Sequence, residues 1–322
     1  MNPDKSGRAE VVVAATAVID EITAHLKSIS GSRSDGFDAR LHLLLEQLDQ
    51  LASQAPDDEP VLRKRFLEAT EDILGRSDVI ARGRNKPLGY AGDYQIIDWT
   101  YLQHIGTDPI GALLDEFYHG QIAPMAVRDR KQRFGRVLAE LAVKADRYGP
   151  IRILNVGSGP GREIIDGAVA AGLSPADIAV TCVEIDGRAI QHARGVLGPD
   201  WGKSVTFWQG NAIRYRPSGD FDLVWSAGLF DYLNDRLAVP LLKRLWTAVA
   251  PGGRVVIGNF ADTHPTRHWI EWCGDWFLIH RTLSELEALG ASAGMVAAHQ
   301  LRTYTDQWGA VGFLDAEKTP TP

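Results

Sequence analysis

The 322-residue sequence has little cysteine: two residues, Cys182 and Cys273, far apart and flanked by apolar or aromatic side chains. Two are too few for a disulfide-built fold, and both are expected to be reduced core thiols of a cytoplasmic protein. No apolar run reaches the roughly 18–20 residues needed to cross a bilayer. Residues 1–5 lack the apolar core of a secretory signal. There is no internal repeat and no long low-complexity tract, and the tail at 318–322 is expected to fray. Positive charge is also in deficit. With 34 Lys and Arg against 41 Asp and Glu, the net charge of −7 argues against a general nucleic-acid-binding surface. His264, His268 and His280 could serve as bases, but they lie among aromatics without metal-ligand spacing, so they are read as packing or surface residues and no metal is expected. What remains is ample apolar material, 45% of residues, for one large domain or two modest ones.

The N-terminal third has helical periodicity. Apolar residues recur at helical spacing over 9–29, over 37–51 (Phe37, Leu41, Leu44, Leu45, Leu48, Leu51) and over 62–74. The leucine stripe is read as core and not as a zipper. Residues 82–101 differ in kind, with three glycines, a proline, three cations and several aromatics but little periodicity. They are expected to form a functional loop. Helices are expected at 109–119 and 121–145. In the second, Arg128, Arg130, Arg133 and Arg136 are expected to point mostly outward as a solvated face.

From residue 151 strands and helices alternate. Strands are expected at 151–156, 179–185, 205–209, 221–225 and 254–259, with helices at 163–171, 188–196, 236–249 and 283–289. The Pro251-Gly252-Gly253 run is read as a turn, and 295–303 with 310–316 as a closing hairpin. Such alternation implies an α/β fold, a mostly parallel sheet covered on both faces, with a final antiparallel strand at its edge. The first strand runs into Gly157, Ser158, Gly159, Pro160 and Gly161, a tight loop opening a helix. Strand, glycine loop and helix present backbone N–H groups to a ligand.

Ligands of such sheets bind beyond the carboxyl ends of the strands. There the chain places the glycine loop, then Glu184 with Ile185 and Asp186, then Asn211 and Ala212, then Ser226, and finally Asn259. Glu184 suits a ribose diol, Asp186 a helix N-cap, and Asn211 and Ala212 an adenine edge. In order, Leu154-Asn-Val-Gly-Ser-Gly-Pro-Gly, Val183-Glu-Ile-Asp, Phe221-Asp-Leu-Val-Trp-Ser-Ala-Gly and Ala250-Pro-Gly-Gly-Arg-Val-Val-Ile resemble the class I S-adenosylmethionine-dependent methyltransferases. The resemblance covers about residues 121–322. It implies a Rossmann-like methyltransferase fold with a mostly parallel seven-stranded sheet, preceded by an α-helical cap or lid domain at 1–120. It also implies S-adenosyl-L-methionine as cofactor, held by Asn155, Gly157, Ser158, Gly159, Gly161, Glu184, Ile185, Asn211, Ala212 and Ser226. Asn155 and Asn211 depart from the acids the family often carries there. A dinucleotide-dependent oxidoreductase competes for the first half of the pattern; the Pro251-Gly252-Gly253 run and the fourth-strand line favour the methyltransferase.

Lys86-Pro-Leu-Gly-Tyr-Ala-Gly-Asp-Tyr, Asn259-Phe-Ala-Asp-Thr-His-Pro and Trp276-Phe-Leu-Ile-His-Arg-Thr are similar to the bacterial group known as 3-hydroxypalmitic acid methyl ester biosynthesis proteins. That resemblance implies methylation of a carboxyl group on a small acid; here His280 stands where that group is expected to carry a tyrosine. Candidate catalytic groups are Tyr90, Tyr94 and Tyr232 as aromatic faces for a sulfonium, Arg281 as a carboxylate clamp, and Asp93 as an acid near the sulfonium or an amine. The plainer alternatives are packed tyrosines, a surface arginine and a turn cap. Trp269, Trp272, Trp276 and Phe277 either line an apolar pocket or pack the N-terminal helices, and packing is preferred. Three functions fit. The first is methyl transfer to a small-molecule acceptor. The second is cyclisation of the cofactor itself to azetidine-2-carboxylate and methylthioadenosine. The third is binding without catalysis. The expected partner is a small molecule and not nucleic acid, with a homo-oligomer left open.

Overall fold

The computed structural model describes residues 3–29, 31–32, 35–143 and 149–320. The expected helix to residue 145 and the last two residues of the expected frayed tail fall partly outside these. The chain forms two compact units. The first comprises Met1–Pro124 with Thr266–Phe277, the second Met125–Pro265 with Leu278–Pro322. Thr266–Phe277, which the sequence reading groups with residues 121–322, belongs to the first unit.

The first unit is helical: α1 (Pro3–Lys27), α2 (Phe37–Ser53), α3 (Glu59–Leu74), α4 (Asp78–Asn85), α5 (Tyr94–Leu102), α6 (Pro109–His119) and the start of α7 (Ile122–Ala142). The stripe on α2 is core, since Phe37, Leu41, Leu44, Leu45 and Leu48 are buried. The expected loop at 82–101 is a correction: α4 and α5 occupy most of it. Three glycines and a proline suggest a loop there, but side-chain caps set the helices. Ser77 accepts from the Ile80 N–H, and Asp93 accepts from Gln95 and Ile96 N–H at 2.9 and 3.1 Å.

The second unit is organised by one seven-stranded sheet: β1 (Ile151–Val156), β2 (Ile178–Glu184), β3 (Val205–Gln209), β4 (Phe221–Ser226), β5 (Val249–Phe260), β6 (Gln300–Thr305) and β7 (Val311–Glu317). Their order is β3-β2-β1-β4-β5-β7-β6, with β7 running against the direction of the other six. Helices α8 (Arg162–Ala170), α9 (Gly187–Gly202), α10 (Asp235–Thr247), α11 (Arg267–Cys273) and α12 (Leu283–Ser292) complete the chain, α11 lying in the first unit. One sheet face packs Leu154, Val156, Val224, Ile257 and Leu314 against Leu241 and Leu245 of α10 and Leu286 and Leu289 of α12. On the other, Phe134 of α7 meets Trp225 of β4 edge-on at 5.1 Å. Helices α7 and α8 approach closely where Gly135 faces Gly167; a Cβ on Gly135 would stand 3.2 Å from the Gly167 backbone.

Two strand expectations are corrected. The Pro251-Gly252-Gly253 run lies within β5 as an irregularity, where pairing jumps from Phe221↔Val249 to Leu223↔Arg254. The last strand is not the edge: β7 inserts between β5 and β6. It can do so because it is buried almost throughout, whereas β6 is largely exposed or half-buried. A buried ionic group supports the insertion. Arg254 of β5 donates to both Asp315 oxygens of β7 at 2.6 and 2.5 Å, and Arg302 of β6 reaches the same carboxylate.

Candidate cofactor and active site

The chain runs outward from β1 through β2 to β3, then returns to lay β4 on the other side of β1. The β1/β4 junction is therefore the switch point at which a crevice opens beyond the strand ends. Gly157, Gly159 and Gly161 there have φ of +70°, +52° and +73°, a region costly for side-chained residues. Gly157 and Gly161 also lack room for a Cβ, which would stand 3.2 Å from Leu229 and from Ala193 respectively, whereas a Cβ on Gly159 would meet nothing within 4 Å. The loop thus packs closely at its ends and stays open in its middle.

Glu184, at the end of β2, holds the loop in this shape. Its carboxylate accepts from Gly159 N–H at 2.9 Å, Ile185 N–H at 2.8 Å and Asp186 N–H at 3.1 Å. Asp186 in turn caps α9, with its carboxyl held below the usual range by hydrogen bonding to Arg188. Ile185 is exposed. Asn211 caps the short turn at 212–214, accepting from Ile213 N–H at 2.9 Å, with Ala212 buried behind it. The Ser226 hydroxyl donates to the Val156 carbonyl at 2.8 Å and ties the ends of β1 and β4 together. Ser158 is buried in the glycine loop. Asn155 is buried on β1 and donates to Glu163 Oε1 at 3.0 Å.

Glu163, in the first turn of α8, was not among the sequence candidates. The signal was available: an amide at 155 in place of an acid leaves room for a carboxylate from the helix after the loop. Burial raises the Glu163 carboxyl above its ordinary range, and its Oε2 is buried with no hydrogen-bond partner among the described residues. Arg130 was also missed, and the outward reading of its arginine run is a correction. Of the four, only Arg136 is exposed. Arg130 is buried, donates to the Ala227 carbonyl just beyond β4, lies 3.7 Å from Asp231, and stands over the Phe260 ring. Arg133 lies over Tyr304. Periodicity alone did not reveal this because a long side chain can lie flat over a sheet end.

The catalytic candidates fall in both units. Tyr90, Asp93 and Tyr94 belong to the first. Asp93 is fully buried as the α5 cap and pairs with Arg82 at 2.8 Å, which favours the turn-cap alternative. Tyr90 and Tyr94 are half-buried. Tyr232 and Arg281 belong to the second. Tyr232 is 40% exposed beyond β4. Arg281 is neither a surface residue nor a free clamp: its Nη1 donates to Phe230 O and Asn259 Oδ1 and its Nη2 to Leu233 O and Asp235 Oδ1, at 2.5–2.9 Å. Asn259 fixes the same corner by donating to the Phe260 and Ile279 carbonyls. The tryptophans pack within the first unit. Trp269 meets Phe117, and Trp272 meets Phe66 and donates to Asp49 at 3.0 Å. Both thiols are free and buried, Cys273 pushed by burial to about 12 and Cys182 also raised, so neither is nucleophilic.

Asp231 ends this corner. Its Oδ1 accepts from Phe260 N–H at 2.6 Å. Burial raises its carboxyl from 3.8 to about 6, against the opposing pull of Arg130 and Arg281. Between those values the folded chain holds a proton that the unfolded chain releases, so Asp231 makes stability fall as pH rises through that window. The full shift corresponds to about 3 kcal/mol. Relative to Asp231→Asn, the wild type should lose about 1 kcal/mol or more between about pH 5 and pH 7.5; denaturant unfolding at the two pH values checks this, and parallel profiles would refute it.

The strand order, switch point and glycine loop together define a Rossmann-like methyltransferase fold for the second unit. Residues 153–253 match the family model of a methyltransferase domain, and this supports a class I S-adenosylmethionine-dependent transferase with S-adenosyl-L-methionine as cofactor. No curated protein sequence matches the chain. Among solved structures, a possible exported protein from Bordetella parapertussis is 18% identical, covers 99% of both chains and has a TM-score of 0.58. The S-adenosylmethionine-dependent methyltransferase SibL is 17% identical over 96% of this chain and 98% of its own, at a TM-score of 0.48. Magnesium protoporphyrin IX methyltransferase from Synechocystis PCC 6803, solved with S-adenosylmethionine bound, is 15% identical over 62% of this chain and 84% of its own, at 0.44. Among the described residues no helix is long and apolar enough to cross a membrane.

Proposed function

We propose that the chain is a small-molecule methyltransferase that binds S-adenosylmethionine in the crevice beyond β1, β2 and β4. The observation that carries this is the open middle of the glycine loop, held by Glu184 at the switch point of this sheet. The residues present fit the cofactor. Glu184 has one lone-pair direction left beyond its three backbone donors, enough for one hydroxyl of the ribose diol. Ile185 offers an exposed apolar face for the adenine, and Asn211 and Ala212 lie at the end of β3 for its edge. Gly157, Ser158, Gly159 and Gly161 line the approach, with Asn155 and Ser226 bracing it from below.

When bound, the cofactor supplies a methyl group on a sulfonium, a good leaving group. The protein's task is then to align an acceptor and exclude water, which contributes up to roughly 7–11 kcal/mol in ideal cases. A carboxylate acceptor needs no base, whereas an amine or hydroxyl usually does. Beyond β4 and β5, Tyr232, Leu237 and Ile279 expose apolar surface. This favours an acceptor with an apolar body, in keeping with the motif resemblance to fatty-acid methyl ester formation. Tyr232, exposed beyond β4, is the aromatic group of this unit that we assign to the sulfonium. Arg281 holds the corner together and takes no substrate.

The test is product analysis by mass spectrometry after incubation with S-adenosylmethionine, with and without a panel of medium- and long-chain carboxylic acids. S-adenosylhomocysteine with a methyl ester, formed only when an acid is present, is the expected result. Methylthioadenosine with azetidine-2-carboxylate from the cofactor alone would replace methyl transfer by cyclisation. Bound but unreacted cofactor throughout would leave a binding module.

A further inference from the structure

Three buried polar atoms at the rim of this crevice have no hydrogen-bond partner among the described residues: Ser158 Oγ and, on charged side chains, Arg130 Nε and Glu163 Oε2. An unmet buried donor or acceptor destabilises a fold, so such a charged pair beside an open loop marks a place that a ligand completes. Arg130 and Glu163 are more than nine-tenths buried. Arg130 is five residues before Gly135, and Glu163 four before Gly167. About one turn from the tight α7/α8 crossing, each therefore sits toward the carboxyl end of the sheet. Each is anchored by its other atoms, Arg130 to the Ala227 carbonyl after β4 and Glu163 to Asn155 on β1. Gly157, between these strand ends, leaves just enough room for Leu229.

We propose that Arg130 and Glu163 form a charge pair that reads a zwitterionic amino-acid group, Arg130 taking its carboxylate and Glu163 its ammonium. One unmet donor is cationic and one unmet acceptor is acidic, so a ligand end bearing a single charge would satisfy only one of them. A free α-amino-acid end satisfies both. The proposal rests on the cofactor reading above, since S-adenosylmethionine and S-adenosylhomocysteine carry such an end.

The experiment is equilibrium titration of S-adenosylhomocysteine and of methylthioadenosine, which keeps the adenosine and sulfur but lacks the amino-acid end. It uses the wild-type chain, Glu163→Gln and Arg130→Met. Hydrogen bonds to charged groups make the expected loss about tenfold or more. The wild type should prefer S-adenosylhomocysteine to methylthioadenosine by at least that factor, and each variant should lose the preference with methylthioadenosine affinity unchanged. Equal weakening of both ligands, or of neither, overturns the proposal. Should either variant fail to fold, the wild type decides alone: the methyl ester and the N-acetyl derivative of S-adenosylhomocysteine should each bind about tenfold or more weakly, and undiminished binding of both overturns it. A wild type that binds neither ligand would instead refute the cofactor reading.

Discussion

Arg281→Ala should destabilise the second unit by about 3–5 kcal/mol, the cost of removing one partner from a buried charged network. The side chain is 4% exposed and feeds four acceptors on three segments: the turn after β4, the end of β5 and the start of α10. Removing it strands the Leu233 carbonyl in the interior, leaves the Phe230 carbonyl only the Leu233 N–H, and leaves Asn259 Oδ1 without its donor. Asp231 would also lose one of two nearby positive charges. A lysine could supply charge but not two parallel donors, so Arg281→Lys should recover only part of the loss. The whole stability of such a domain is about 5–15 kcal/mol, so the alanine variant should melt roughly 10 °C lower. A thermal scan decides. A melting point within about 2 °C of wild type would mean that the corner does not depend on this guanidinium.

Glu184→Ala should weaken binding of S-adenosylmethionine about tenfold to a hundredfold, as expected when a charged hydrogen bond is lost. The structure adds a second route to this loss. Glu184 gathers the N–H groups of Gly159, Ile185 and Asp186, so its removal also frees the middle of the glycine loop. Glu184→Gln should not rescue fully, because its amide NH₂ must face a backbone donor where an oxygen now accepts. Titration of both variants measures the effect, and wild-type affinity in Glu184→Ala would remove Glu184 from the site.

The sheet was legible because buried parallel strands read as short apolar runs bounded by glycine and acid; 205–209 coincides with β3. The glycine loop and Glu184 were legible because their backbone geometry admits few residue types. What escaped depended on tertiary partners. Residues 267–273 form a seven-residue helix too short for periodicity, and its tryptophans are buried by Phe66 and Phe117, distant in sequence. Arg281 looked like a ligand clamp because nothing local shows the four acceptors that converge on it. Arg130 and Glu163 escaped for the same reason, since strand order alone brings α7, α8 and the end of β4 to one corner.

S-adenosylmethionine is proposed to occupy the crevice at the β1/β4 switch point. Calorimetric titration of the wild-type chain with S-adenosylhomocysteine tests this most directly, with competition by S-adenosylmethionine and by a nicotinamide dinucleotide. Saturable one-to-one binding is expected, displaced by S-adenosylmethionine and not by the dinucleotide. No binding, or displacement by the dinucleotide alone, would contradict the proposal.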